Sequence, residues 1–370
     1  MKQFKPVGRQ GGFSIVELMV TSVIGLIILS GAVTVFSSNN ASGSMSSAMS
    51  RVQESGRVAM DIIANDIRMA GYQGCADTDT INANVIANNA PTIDLPSTSL
   101  QGAEVSLAGA WQPAMPTDLT PINAAPLPGT DVVYVQHGSG RTTILNSSMA
   151  NANENPITLA RNPDQLAAGD LVMISDCTSV DIFRATALAD ATGDSVQLSY
   201  AATQNSQANL SRAYTITTNP LSTAMRVMRF EAHAYYVANT TRFDADGQPV
   251  PALFMLDLSQ PGGVAMELVE GVENMQLLYG QEMGTGGIRY VSANATNLDF
   301  ESVVSVQIGL LINSVELISN TDDSNSYQVA GQTIGPPTGS TIIKHSGNRT
   351  SGSRQLRTSF NTTVRLRNQR

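Results

Sequence analysis

The sequence predicts an α+β protein: a long N-terminal helix packed on an antiparallel β-sheet domain with long loops. Three observations carry this reading. No proline occurs between Phe13 and Pro91, so nothing in that stretch forbids a continuous helix. Apolar residues recur at Met45, Met49, Val52, Ala59, Ile63, Ile67 and Ala70, close to the helical period. Further along, four segments alternate apolar and polar residues at period two, as antiparallel strands with one buried face do.

The helix has two halves. From Phe13 to Phe36 every residue is apolar or small except Glu17. At about 1.5 Å per residue this run makes about 36 Å of helix, more than the roughly 30 Å hydrocarbon core of a bilayer. The basic residues Lys2, Lys5 and Arg9 precede it, and the next charge beyond it is Arg51. The positive-inside rule leaves the leader in the cytoplasm and sends the rest of the chain across. A secretory signal has an apolar region of only about 7–15 residues, which does not fit this run. A carboxylate in such a segment is costly and calls for a functional reason. The second half carries the apolar stripe, with Arg51, Glu54, Arg57, Asp61 and Arg68 on its other side. Gly71 is the expected stop, and Gly43 with its neighbouring serines predicts a bend or local unwinding.

Beyond Tyr72 the helical period disappears. The Ala-, Pro-, Asn- and Thr-rich stretch Asn82–Thr130 reads as long loops, and its tryptophan, Trp111, is left undecided between core plug and exposed contact. Strands are expected at Asp131–Gln136, Leu171–Ser175 and Val196–Tyr200. In Arg226–Val237, Met228, Phe230, Ala232, Ala234 and Tyr236 face one way, and Arg229, Glu231 and His233 the other. Val304–Ile312, Met275–Tyr279 and Phe360–Leu366 repeat the alternation, with Val52–Ala70 as the cover for the buried face. Asn320–Gly352 reads as a polar loop before the last strand. Asp244-Ala245-Asp246-Gly247 lacks the further ligands of a calcium loop and reads as a hairpin turn. Gly284-Thr285-Gly286-Gly287 reads as a hairpin tip.

The chain of 370 residues has a net charge of −9, and its exported bulk is acidic. That composition speaks against a nucleic-acid surface. Arg354, Arg357, Arg365, Arg367 and Arg370 are read as the solvated face of the last strand. Cys75 and Cys177 both follow the apolar run, hence both reach an oxidising compartment. An even count there reads as a disulfide, with two unpaired thiols as the alternative. Neither a CxxC nor an adjacent histidine suggests metal. His137, His233 and His345 stand far apart in sequence and give no sign of converging, so neither a catalytic site nor a cofactor is expected.

The junction Gly11-Gly12-Phe13-Ser14-Ile15-Val16-Glu17-Leu18, behind its basic leader, resembles the class III signal of type IV prepilins. Arg51–Arg57 and Asp66–Cys75 are similar to the end of the long helix in PilW-type minor pilins. Ser175–Phe183, Val272–Gly280 and Thr362–Asn368 are similar to later segments of the same family. The J-type pseudopilins of type II secretion are the nearest rival. The resemblance implies cleavage after Gly12, N-methylation of Phe13 and a role for Glu17 in assembly. It divides the chain into a leader (1–12), a membrane and filament-core half (13–36), an amphipathic half (37–71) and a β-rich periplasmic or extracellular domain (72–370). It implies a structural subunit, not an enzyme. The expected partners are other minor pilins and the major pilin, the prepilin peptidase, the inner-membrane assembly platform and a tip adhesin. A membrane-anchored adhesin or periplasmic enzyme are the readings from other classes.

Overall fold

The computed structural model describes residues 12, 14–76, 81–93, 95, 97–114, 125–216, 225–284, 286–319, 321–336, 343–344 and 354–368. The chain divides into two units, 1–50 and 51–370. One helix, α1 (Ile15–Met69), runs without a break, so the expected unwinding near Gly43 does not occur. Ser14 caps its start by accepting from the Val16 N–H at 3.3 Å. Gly71 ends it at φ 73°, the left-handed conformation that favours glycine. The Asn368 amide donates to the carbonyls of Met69 and Ala70 at 3.2 and 3.3 Å, so the segment after β19 closes the end of the helix.

The strands follow in order. The first group is β1 (Asn84–Val85), β2 (Leu100–Val105), β3 (Trp111–Gln112), β4 (Asp131–Gly138), β5 (Ile157–Leu159), β6 (Leu171–Asp176) and β7 (Ser179–Arg184). Next come β8 (Ala187–Asp190), β9 (Val196–Ser199), β10 (Arg226–Phe243), β11 (Pro249–Asp257), β12 (Val264–Glu270) and β13 (Val272–Glu282). The last are β14 (Ile288–Val291), β15 (Val303–Asn313), β16 (Tyr327–Val329), β17 (Gln332–Gly335), β18 (Ile343–Lys344) and β19 (Arg357–Arg365).

Among the described residues the largest sheet runs β1-β7-β6-β10-β4-β2-β3, with β11 and β12 added beside β10. A second sheet runs β14-β13-β15-β19, and two small ones are β5-β9-β8 and β16-β17-β18. The strands β4, β6 and β9 stand where strands were expected, and β10, β13, β15 and β19 where alternation placed them. Both hairpin readings also hold. Asp244 Oδ1 accepts from the Asp246 and Gln248 N–H groups in the β10–β11 turn. Met283 and Gly287 close the β13–β14 tip; Thr285 is outside the described residues.

The helix residues Val52, Ala59, Ile63, Ile67 and Ala70 are at most 1 % exposed. They form one core with Val135, Tyr235 and Val237 of the large sheet and with Leu277, Ile308, Leu310 and Val364 of the second. Helix and sheet lie close at Gly56, where a Cβ would stand 2.4 Å from the Phe360 ring.

Four expectations need correction. β10 is covered on both faces: Met228, Phe230, Ala232, Ala234 and Tyr236 form a second core, and Tyr235 and Val237 belong to the first. Asn82–Thr130 contains β1, β2 and β3 rather than loops alone, and Trp111 on β3 is half-buried against the second core. The stretch expected as a polar loop contains β16, β17 and β18, and Val329 and Ile334 pack on Leu311. Arg357 is not on a solvated face but is 4 % exposed.

Candidate functional site

The apolar half of α1 offers a continuous surface. Its large apolar side chains from Ile15 to Phe36 are 51–80 % exposed, and the helix is long and apolar enough to cross a membrane. Three of its hydroxyls turn inward to the backbone. Thr21 donates to the Glu17 carbonyl at 2.8 Å, Ser22 to Met19 at 2.9 Å, and Thr34 to Ser30 at 2.8 Å. No free hydroxyl therefore has to be desolvated at these positions when the segment enters lipid or a packed core. Glu17 lies exposed in the first turn, where the positive end of the helix dipole favours a carboxylate. Gly12 has open space around it. Phe13 and the basic leader lie outside the described residues.

Cys75 and Cys177 form a disulfide with their Cα atoms 4.9 Å apart. Gly71 and Tyr72 lead into it along the end of β4: Gly71 N–H donates to the Gln136 carbonyl, and Gly138 N–H to that of Tyr72. The bond joins the segment after the helix to the β6–β7 turn, as the cysteine count and compartment suggested.

The histidines overturn their expectation. His345 lies outside the described residues, but His137 and His233 converge on one helix carboxylate, Asp66. His137 Nε2 lies 2.7 Å from Asp66 Oδ1, and His233 Nδ1 lies 2.9 Å from Oδ2. The Tyr235 hydroxyl donates to Oδ2 at 2.9 Å. His137 is on β4 and stands opposite Glu231 of β10. Its Nδ1 lies 2.9 Å from the Gly138 carbonyl. A carbonyl and an ionised carboxylate both only accept, so both ring nitrogens donate and His137 is held as an imidazolium.

The charges support one another. Burial alone pushes Asp66 up, but the hydrogen bonds and charges of His137 and His233 outweigh it and hold the carboxyl well below its ordinary range. Burial pulls both imidazoles down, yet the Asp66 carboxylate raises both above their ordinary value. Burial also raises Tyr235, helped by the charge of Asp66. Glu231 is raised by burial in spite of the histidines.

A signal for this cluster was available in the sequence. Asp66 falls on the apolar stripe, at i+7 from Ala59 and i+3 from Ile63, not on the polar face with Asp61 and Arg68. A charged residue on a buried helix face needs partners, and only the fold brings them from β4 and β10.

Two protein families match this chain. The Type IV Pilus-assembly protein W family, PilW, matches residues 234–368, most of β10 and all that follows it up to Asn368. The Prokaryotic N-terminal methylation motif matches residues 8–33, spanning the Gly12-Phe13 junction, Glu17 and most of the apolar run. No curated protein matches at a significant level. PilW is a structural family of pilus assembly, not a family of enzymes. A long helix packed on antiparallel sheets, the methylation motif at one end and the PilW type IV pilus-assembly region at the other together give this chain its family likeness.

Proposed function

We infer that the chain is a minor pilin of a type IV pilus, made as a prepilin and used as a structural subunit. The prepilin peptidase removes residues 1–12 after Gly12 and Phe13 is N-methylated. Residues 13–36 then hold the protein in the inner membrane, N-terminus cytoplasmic and C-terminus periplasmic. On assembly the same segment enters the filament core, and the β-rich region from residue 72 is carried to the outside. There the subunit joins other minor pilins at the tip and primes addition of the major pilin. Twitching, adhesion and DNA uptake are outcomes of the whole machine.

The observation that carries this reading is the exposed apolar surface of Ile15–Phe36 with Glu17 as its one ionisable group. Lipid satisfies such a surface first and neighbouring helices later. A carboxylate within it is stabilised by a positive partner, and the new amino group of a neighbouring subunit is the natural one.

Mass spectrometry of the protein from sheared filaments tests the processing. The expected N-terminus is N-methyl-Phe13; a start at Met1 or near Ala41 would overturn it. Glu17→Ala should still be cleaved and still reach the inner membrane, yet be depleted from sheared filaments. Gly12→Val should keep its leader. Loss of surface pili on deletion, with protein secretion intact, separates this role from that of a J-type pseudopilin.

A further inference from the structure

The geometry points to a divalent metal site at Asp66, His137, Glu231 and His233, of the kind that takes zinc. One ligand atom from each of these side chains lies within 4.8 Å of the other three. Two imidazole nitrogens and two carboxylate oxygens are a ligand set for a borderline transition ion, zinc above all, and not for calcium or magnesium, which prefer oxygen alone.

Three features separate this cluster from an ordinary buried ion pair. The first is Glu231. Its side chain is only 28 % exposed and its carboxylate makes no hydrogen bond among the described residues, where its nearest charged partner is His137 Nδ1 at 3.7 Å. In a purely hydrogen-bonded network Glu231 is a spectator; in a metal site it is the fourth ligand. The second is the outer shell. His137 Nδ1 faces the Gly138 carbonyl and Tyr235 donates to Asp66. Ligating groups are held by such contacts, which fix the ring and leave Nε2 for the metal. The third is charge: once the imidazoles give up the protons that they share with Asp66, the two carboxylates carry −2, which a divalent ion balances.

The spacing is close to what zinc requires. Tetrahedral ligands about 2.0 Å from the ion stand about 3.3 Å from one another. The Asp66–histidine distances of 2.7 and 2.9 Å thus need to open by only about half an ångström. The ion would take the place of the protons now shared between Asp66 and the rings. It would enter past Glu231, the most exposed of the four, and tie α1 to β4 and β10 at one point.

The test uses the full chain in detergent, stripped with a chelator and titrated with zinc alone. Stoichiometric binding is expected, with a zinc-dependent rise in the thermal midpoint. Cobalt in place of zinc should give the intense visible bands of a tetrahedral ion. Glu231→Gln is the decisive variant, because Glu231 makes no hydrogen bond that the fold needs. It should keep the metal-free midpoint and lose at least about tenfold in zinc affinity. His233→Ala should lose zinc as well, and far-UV circular dichroism on the same sample distinguishes this from misfolding. Substoichiometric zinc on a folded chain, or equal zinc affinity in Glu231→Gln, would overturn the assignment.

Discussion

Removing the guanidinium of Arg357 tests how the closing strand is held. Its side chain is fully buried, and Glu273 and Asp323 beside it are 7 % and 8 % exposed. Nε donates to Glu273 Oε2 at 2.8 Å and Nη2 to Oε1 at 3.2 Å, while Nη1 donates to Asp323 Oδ2 at 3.3 Å. Glu273 lies on β13 and Arg357 on β19, so the pair spans the intervening β15. Arg357→Ala leaves two buried carboxylates without their cation. Breaking a buried pair in this way costs about 3–5 kcal/mol, a large part of the 5–15 kcal/mol typical of a folded domain. Arg357→Ala combined with Glu273→Ala should cost about 1–3 kcal/mol less than the sum of the singles. Urea unfolding followed by the fluorescence of Trp111, the only tryptophan, measures each value. A cost below about 1 kcal/mol for Arg357→Ala would show that water reaches the carboxylates and that the strand is held by its backbone alone.

Three further outcomes are expected. Gly56→Leu should destabilise by about 1–3 kcal/mol through overpacking against Phe360 in the same urea assay; an unchanged midpoint would mean that the helix does not lie this close to β19. Replacing Cys75 and Cys177 by Ser should cost about 2–5 kcal/mol, and a non-reducing peptide map should show them linked; two alkylatable thiols in the exported protein would refute this. Burial pushes the Asp131 carboxyl well above its ordinary range, in spite of the hydrogen bond from the Leu277 N–H. The native state thus holds a proton that the unfolded chain releases near pH 3.9, and stability falls as pH rises from there towards the folded value. Asp131→Asn should remove that fall, its advantage growing as pH rises above about 4; a pH-independent difference would sink the idea.

Long regular patterns were legible in the sequence, and tertiary compensation was not. The helix could be read because Val52, Ile63 and Ile67 keep one period over many turns. β13, β15 and β19 could be read because one face of each is apolar and the other more polar. β10 looked the same, yet its polar face is covered: Glu231, His233 and Tyr235 sit under the helix because Asp66 answers the two rings and the phenol. β2 escaped because Leu100-Gln101-Gly102-Ala103-Glu104-Val105 alternates poorly, Gly102 making room for the Tyr279 hydroxyl. Arg357 looked solvated because its partners, Glu273 and Asp323, are 84 and 34 residues away. The Asp66 cluster joins groups 71 and 167 residues apart, which no local window contains.

The disulfide also decides how tension travels through the molecule. Cys75 follows the helix end by six residues, and its partner Cys177 is 102 residues further on. A pull along the helix, against any point beyond Cys177, therefore reaches the β6–β7 turn through the covalent bond. Residues 76–176 are a closed loop outside that load path. They include β1 to β6, and they cannot be drawn out by force while the bond is intact. Reduction would put the whole loop in series with the load, and the same pull could then peel β4 from the centre of the large sheet.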